Sequence, residues 1–187
     1  MADVLISDLT TGVPNGSNFI PFTTGSATNK TLVSSLTAAS QPVNCIGARV
    51  TKATQTGVVA NTPTDAQFFT TEFDTNGFFD LATNPTWLRV PTSLGGIYNI
   101  AGGLTTSTTS AYYRNSIYII KRASSTDTII VQNDTSIGLN GVDVPLAISC
   151  TIRLAAGDVI KLRGNCENFY GVNSFKNASL SLVRLGT

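Results

Sequence analysis

Any chemistry in this 187-residue chain is done without histidine, because the sequence contains none. That removes Ser-His and Cys-His nucleophilic arrangements, and the commonest metal ligand with them. Carboxylates are the next resource. Asp65, Glu72 and Glu167 are far apart in the chain and form no recognisable acid/base pair. Asp74, Asp80, Asp134, Asp143 and Asp158 are oxygen donors of the kind calcium takes, but no EF-type loop gathers them. Capping of local turns is the better reading of all five. Three cysteines, Cys45, Cys150 and Cys166, are too few and too widely spaced for a disulfide framework or a zinc site. A Cys45–Cys166 bridge is the one pairing left open, and Cys150 reads as a small core hydrophobe. No catalytic residue, metal ligand or cofactor is therefore assigned.

Other motifs have equally plain readings. Gly95-Gly96 and Gly102-Gly103 lack the spacing of a phosphate loop and read as hairpin or bulge glycines. Trp87, Tyr112 and Tyr113 have the faces to stack on a sugar, although packing explains them as well. Asn15, Asn29, Asn133 and Asn177 begin N-x-S/T triplets, which matter only in an exported chain. The N-terminus, MADVLISDLTT, lacks the basic start and apolar core of a signal peptide, so synthesis in a cytoplasm is expected.

The elements that would position these residues are strands. From Leu146 to Leu154 the residues Leu146, Ile148, Cys150, Ile152 and Leu154 take every second position. Side chains in a strand alternate faces, so this spacing makes one dry face, and a helix would scatter it. Ala155 to Asp158 reads as a turn, and Ile160 and Leu162 resume the dry face while Lys161 and Arg163 take the wet one. The expectation is an antiparallel hairpin. Further strands are expected at Gly47–Thr54, Phe68–Phe73, Ile97–Ala101, Thr128–Gln132 and Ser179–Leu185. Asp74-Thr75-Asn76-Gly77 is a strong turn signal, and Gly102 to Ser110 reads as a flexible polar loop. Ile117 to Ile120 is apolar on both faces, which implies burial on both. Eight to ten short strands and no long helix define an all-β sandwich or jelly roll.

Residues 1–43 have a different texture and are expected to form an extended N-terminal arm and linker, with the sandwich occupying 44–187. The arm carries small apolar groups, Leu5, Ile6 and Leu9, then Phe19, Ile20 and Phe22, separated by turn formers. Pro21 keeps its segment out of a central strand. Thr23 to Asn29 reads as a loop and Lys30 to Leu36 as one or two helical turns. Such an arm is too poor in apolar residues to fold alone and docks on something larger.

Composition narrows the partners. Hydrophobic residues make up 42% and charged residues only 12%, so the surface is built from Thr, Ser, Asn and Gly. With a net charge of +1 and no Lys/Arg cluster, nucleic acid is a poor partner. No apolar run has the length of a membrane span.

The order of the pieces carries a resemblance. Phe73, Asp74, Gly77, Phe79 and Asp80, then Pro91, Gly96 and Tyr98, then Leu154, Gly157 and Asp158 resemble the trimeric jelly roll shared by tumour necrosis factor and the complement globular head. The form is the divergent one found in bacteriophage particle proteins. It covers about residues 44–187. Residues 1–40 separately resemble an attachment segment of phage fibre and decoration proteins, through Ile6-Ser7-Asp8-Leu9, Asn18-Phe19-Ile20-Pro21 and Thr31 to Leu36. The chain has no G-X-Y stretch and no coiled-coil shaft, unlike the animal complement architecture and long tail fibres.

The resemblance implies a homotrimer in which one sheet faces its neighbours, with Tyr98, Ile148, Phe175 and Leu180 at the interface. It further implies a non-enzymatic virion structural protein, a decoration or cement protein of the outer capsid surface. Its arm would bury Leu5, Ile6, Leu9, Phe19, Ile20 and Phe22 against the major capsid protein. The alternative it leaves is a tail fibre or receptor-binding protein that recognises host surface glycans.

Overall fold

A computed structural model describes residues 19–24, 27–32, 45–108, 112–136, 142–168 and 173–187. The chain separates into two compact units, Met1–Asn44 and Cys45–Thr187. In the first, β1 (Phe19–Thr24) and β2 (Ala27–Leu32) pair antiparallel, Phe19 opposite Leu32 and Thr24 opposite Ala27. Two expectations fail here. Most of the expected loop at Thr23–Asn29 is strand, and Lys30 to Leu32 is strand where helical turns were expected. The cross-strand partner, which no single-segment pattern contains, decides this. Leu5, Ile6 and Leu9 lie outside the described residues.

The second unit contains β3 (Gly47–Val58), β4 (Thr64–Asp65), β5 (Thr70–Asp74), β6 (Trp87–Arg89), β7 (Gly96–Thr108), β8 (Tyr112–Ala123), β9 (Thr126–Thr135), β10 (Val144–Leu154), β11 (Val159–Asn168) and β12 (Asn173–Gly186). One sheet has the order β10-β7-β12-β3-β5, and the other β4-β11-β8-β9, with β6 on the same side of β11 as β4. All described pairings are antiparallel, and among the described residues there is no helix. The inner faces follow the period-2 pattern: Ile100, Leu104, Leu146, Leu180 and Leu182 from one sheet meet Ile117, Ile119, Ile160 and Leu162 from the other.

The expected hairpin is not one. Among the described residues β10 pairs only with β7, and β11 pairs with β4, β6 and β8, so Ala155–Asp158 carries the chain from one sheet to the other. The two dry faces meet across the core instead of lying side by side. Gly157, at φ 87°, makes the sharp reversal. Alternation demands a buried face but does not say whether the next strand lies beside it or opposite it.

Glycine placement shows how tightly the sheets mesh. The expected loop at Gly102–Ser110 is the continuation of β7, and Gly102 is in the middle of a strand. A Cβ at Gly102 would lie 2.5 Å from Leu162 Cδ1 of the facing sheet. Reciprocally, a Cβ at Gly164 would lie 2.6 Å from Phe175 Cζ. Each sheet therefore leaves a gap that receives a large side chain of the other.

The motif residues set the loops around this core. Asp74 accepts backbone N–H bonds from Gly77, Phe78 and Phe79 at 2.9–3.0 Å. That turn places Phe78, 2% exposed, edge-on to Tyr98 at 6.2 Å. The Tyr98 hydroxyl donates to the Leu94 carbonyl and so pins the turn that follows Pro91. Asp158 accepts the Ala155 N–H at 2.8 Å, and Val90 exchanges backbone bonds with Gly157 and Asp158.

Gly102→Ala should lower stability by about 1–3 kcal/mol, the usual cost of overpacking a core. Its neighbour Gly103 faces outward, where a Cβ would meet only ordinary contacts at 3.4 Å and beyond. Gly103→Ala should therefore leave the denaturant midpoint close to that of the parent. Equal effects for the two substitutions would contradict the meshing.

Candidate functional site

The residues expected at an interface lie in the core of one copy: Tyr98, Phe175 and Leu180 are 0% exposed and Ile148 is 8% exposed. Tyr98, Phe175 and Leu180 leave no surface for a neighbour to cover. The three segments that the resemblance places in one sheet, Ile97–Ala101, Leu146–Leu154 and Ser179–Leu185, are adjacent in β10-β7-β12. The alternation within those strands then assigns the outward face to the other residues.

The central rungs of that outward face carry small side chains and little charge. Ladder rungs across β10, β7, β12 and β3 read Ala147, Gly103, Ser179 and Thr51, then Ser149, Ala101, Ser181 and Arg49, then Thr151, Asn99, Val183 and Gly47. Only Arg49 on these rungs is charged, and it is tied at 3.1 Å to Glu72. Small side chains let a second surface come close to the sheet, and their few polar groups cost little to cover.

Along one margin of the sandwich the core is only partly covered. Strand β9 ends one sheet and β10 ends the other. Ile130 and Val131 on β9, and Cys150 and Ile152 on β10, pack against the core yet are only partly buried. Ile129 beside them is 54% exposed. An apolar seam between two edge strands is surface of the kind that protein contacts cover.

On the outer face of the sheet formed by β4, β6, β11, β8 and β9 lies a charged network that no sequence spacing announces. Lys161, expected on the wet face, is only 3% exposed. Its ammonium contacts Asp65 of β4 at 3.1 Å and Asp127 of β9 at 3.3 Å. Arg163 reaches the same two carboxylates at 2.6 and 3.0 Å, and Arg122 reaches Asp127 at 2.6 Å. These side chains strap the first strand of the sheet to the last across β11 and β8. Trp87 lies against Arg122 and Lys161, 5.7 and 5.6 Å from its ring centre, so its ring is engaged by protein cations. Asp65 and Asp127 are 62 positions apart, and no spacing rule links them.

Burial pulls the Asp127 carboxyl upward, but hydrogen bonds from Arg122 and Arg163 and the Lys161 charge outweigh it and hold it at about 2. Burial pushes the Cys166 thiol up to about 12 and raises that of Cys150 as well, so neither is an active thiolate. All three cysteines are free, Cys45 exposed and Cys166 buried, and no Cys45–Cys166 bridge forms. Of the five aspartates read as turn caps, Asp74, Asp80 and Asp158 are caps. Asp143 pairs with Lys176, and Asp134 lies within β9. No group of three or more acidic or cysteine side chains placed to hold a metal occurs among the described residues.

This architecture is the jelly roll of the tumour necrosis factor and complement globular-head domains. The zebrafish complement 1qA globular domain matches with a TM-score of 0.54 at 11% identity, over 75% of this chain and 97% of that one. The Eiger tumour necrosis factor of S. frugiperda matches with a TM-score of 0.52 at 14% identity, over 76% and 93%. Murine APRIL matches with a TM-score of 0.55 at 11% identity, over 74% and 99%. No family profile and no curated protein matches the sequence.

Asp127→Asn should cost about 1.5–3 kcal/mol at neutral pH, the range for hydrogen bonds to charged groups. The native carboxyl titrates at about 2, against about 3.9 in an unfolded chain. A lowered native value contributes stability that is fully present above about pH 4 and disappears as pH falls toward 2. Acid titration followed by circular dichroism should show that loss in the parent and a flatter curve in Asp127→Asn.

Proposed function

We propose that this chain is a non-enzymatic structural protein of a bacteriophage particle, a homotrimeric decoration or cement protein of the outer capsid surface. The observation that carries the assembly half is the pairing of an apolar seam with a sheet face whose central rungs are small side chains with one charge, on the same copy. Ile130, Val131, Cys150 and Ile152 line one margin, packed against the core and only partly buried. The rungs around Ala101, Gly103, Ser149 and Ser181 offer a surface a neighbouring margin can lie on. Margin against face is a heterologous contact, and such contacts close when repeated around a rotation axis. Three copies close it here, as the resemblance to trimeric jelly rolls implies. Tyr98, Ile148, Phe175 and Leu180 then act at one remove, by holding the sheet whose other side makes the contact.

The particle half of the reading rests on residues 1–43. Their likeness to phage attachment segments, and the apolar groups Leu5, Ile6, Leu9, Phe19, Ile20 and Phe22, fit an arm buried against the major capsid protein. Many copies that bind only assembled coat stabilise the particle by mass action.

Two measurements test the halves separately. Ile152→Glu should yield a folded monomer at micromolar concentration in sedimentation velocity, because the new charge sits where a neighbour must dock; an unchanged trimer defeats the assembly. Removal of residues 1–40 should abolish binding to particles while the trimer survives; normal binding by the shortened protein defeats the attachment role. A location at the tail, in few copies, would transfer the chain to the receptor-binding alternative.

A further inference from the structure

We propose that the outer face of the sheet formed by β4, β6, β11, β8 and β9 carries a calcium site, built on the cross-strand row Asn165, Ser116 and Asp134. These residues sit on adjacent strands, with Asn165 of β11 opposite Ser116 of β8 and Ser116 opposite Asp134 of β9. They share one face with Arg163 and Asp127, so all three point away from the core.

Two of the three have a buried oxygen with nothing bound to it. Ser116 is 0% exposed and Asn165 is 5% exposed, and neither Ser116 Oγ nor Asn165 Oδ1 has a hydrogen-bond partner. An orphaned buried acceptor carries a desolvation cost, so native structures seldom leave one without a reason. Turning the Asn165 amide over does not help, because its Nδ2 already donates to Glu167 Oε1 at 3.3 Å. What faces this place is therefore oxygen. At the end of the row stands Asp134, whose Oδ2 accepts from Gln132 at 2.7 Å. No ion pair among the described residues neutralises Asp134, while Glu167 is matched by Arg114 at 2.8 Å. The row thus offers an amide oxygen, a hydroxyl and a carboxylate, with one uncompensated negative charge.

That donor set suits a hard divalent cation. Residues directly opposite in neighbouring strands have Cβ atoms about 4.5–5.5 Å apart. Asn165 and Asp134 therefore flank the short Ser116 side chain on either side. Calcium accepts such an irregular oxygen set, completed by water, at about 2.3–2.6 Å, whereas magnesium insists on near-octahedral geometry. The site does not depend on the capsid reading and holds for any role of the trimer.

Terbium, which binds calcium sites and luminesces when a nearby aromatic ring is excited, gives a direct probe in the full-length chain. Tyr118 lies on the same face two residues from Ser116. Bound terbium should emit on tyrosine excitation and be displaced by calcium. Asp134→Asn should weaken calcium about tenfold or more, a loss of at least about 1.4 kcal/mol. Asp134 is exposed, so this variant should fold like the parent. Tyr118→Phe should dim the terbium signal yet keep the calcium-induced rise in melting temperature. The site is refuted if calcium neither displaces terbium nor raises the melting temperature, which would leave ordered water as the partner of Ser116 and Asn165. It is equally refuted if Asp134→Asn binds calcium like the parent.

Discussion

Everything in the second unit depends on two sheets meshing face to face through reciprocal glycine gaps. Leu162 projects toward Gly102, and Phe175 projects toward Gly164. Neither contact is local in the chain, and neither tolerates even one added carbon without movement. This closeness explains why β7 has a glycine in mid-strand, where glycine weakens a sheet unless something approaches it. It also sets the separation of the sheets, and hence which outward residues are left to make surfaces.

Given that core, the loop motifs become intelligible as fasteners. Asp74 gathers N–H groups from the turn that delivers Phe78 to Tyr98, and Tyr98 in turn pins Leu94. Gly96 permits the start of β7 to press against β12, where a Cβ would lie 2.2 Å from the Gly186 carbonyl oxygen. Gly157 and Asp158 close the crossing between the sheets and tie it to Val90. At 10–14% identity to solved structures of like fold, most side chains differ, yet these constraints act on backbone geometry. The same fold is therefore reachable from very different sequences.

The two outer faces are built on opposite principles. The sheet holding β11 and β8 carries a strap of alternating charges from Asp65 to Asp127, satisfied within one copy. The central rungs of the sheet holding β10, β7, β12 and β3 carry small side chains with Arg49 their one charge, and apolar residues along the β9/β10 margin are only partly buried. Covering the first face would mean competing with strong internal ion pairs, while covering the second removes little but apolar surface and hydroxyls. That contrast makes the β10-β7-β12-β3-β5 face the easier of the two to cover.

Sequence alone determined the all-β class, the inward face of the strand at Leu146–Leu154, the capping turn at Asp74–Gly77 and the change of texture near residue 44. Each of these is local: period-2 alternation and turn chemistry act within a few residues, so they can be read from a few residues. Which strand pairs with which was not local, and there the reading failed: β10 and β11 were expected side by side and instead face each other. Lys161 was expected in water and is buried because Asp65 and Asp127 reach it from distant strands. Tyr98, Ile148, Phe175 and Leu180 were expected at an interface and fill the core. A strand's pattern records only that one face must be dry; whether a sheet, a sister copy or a strap of charges covers it is decided by how the whole chain packs.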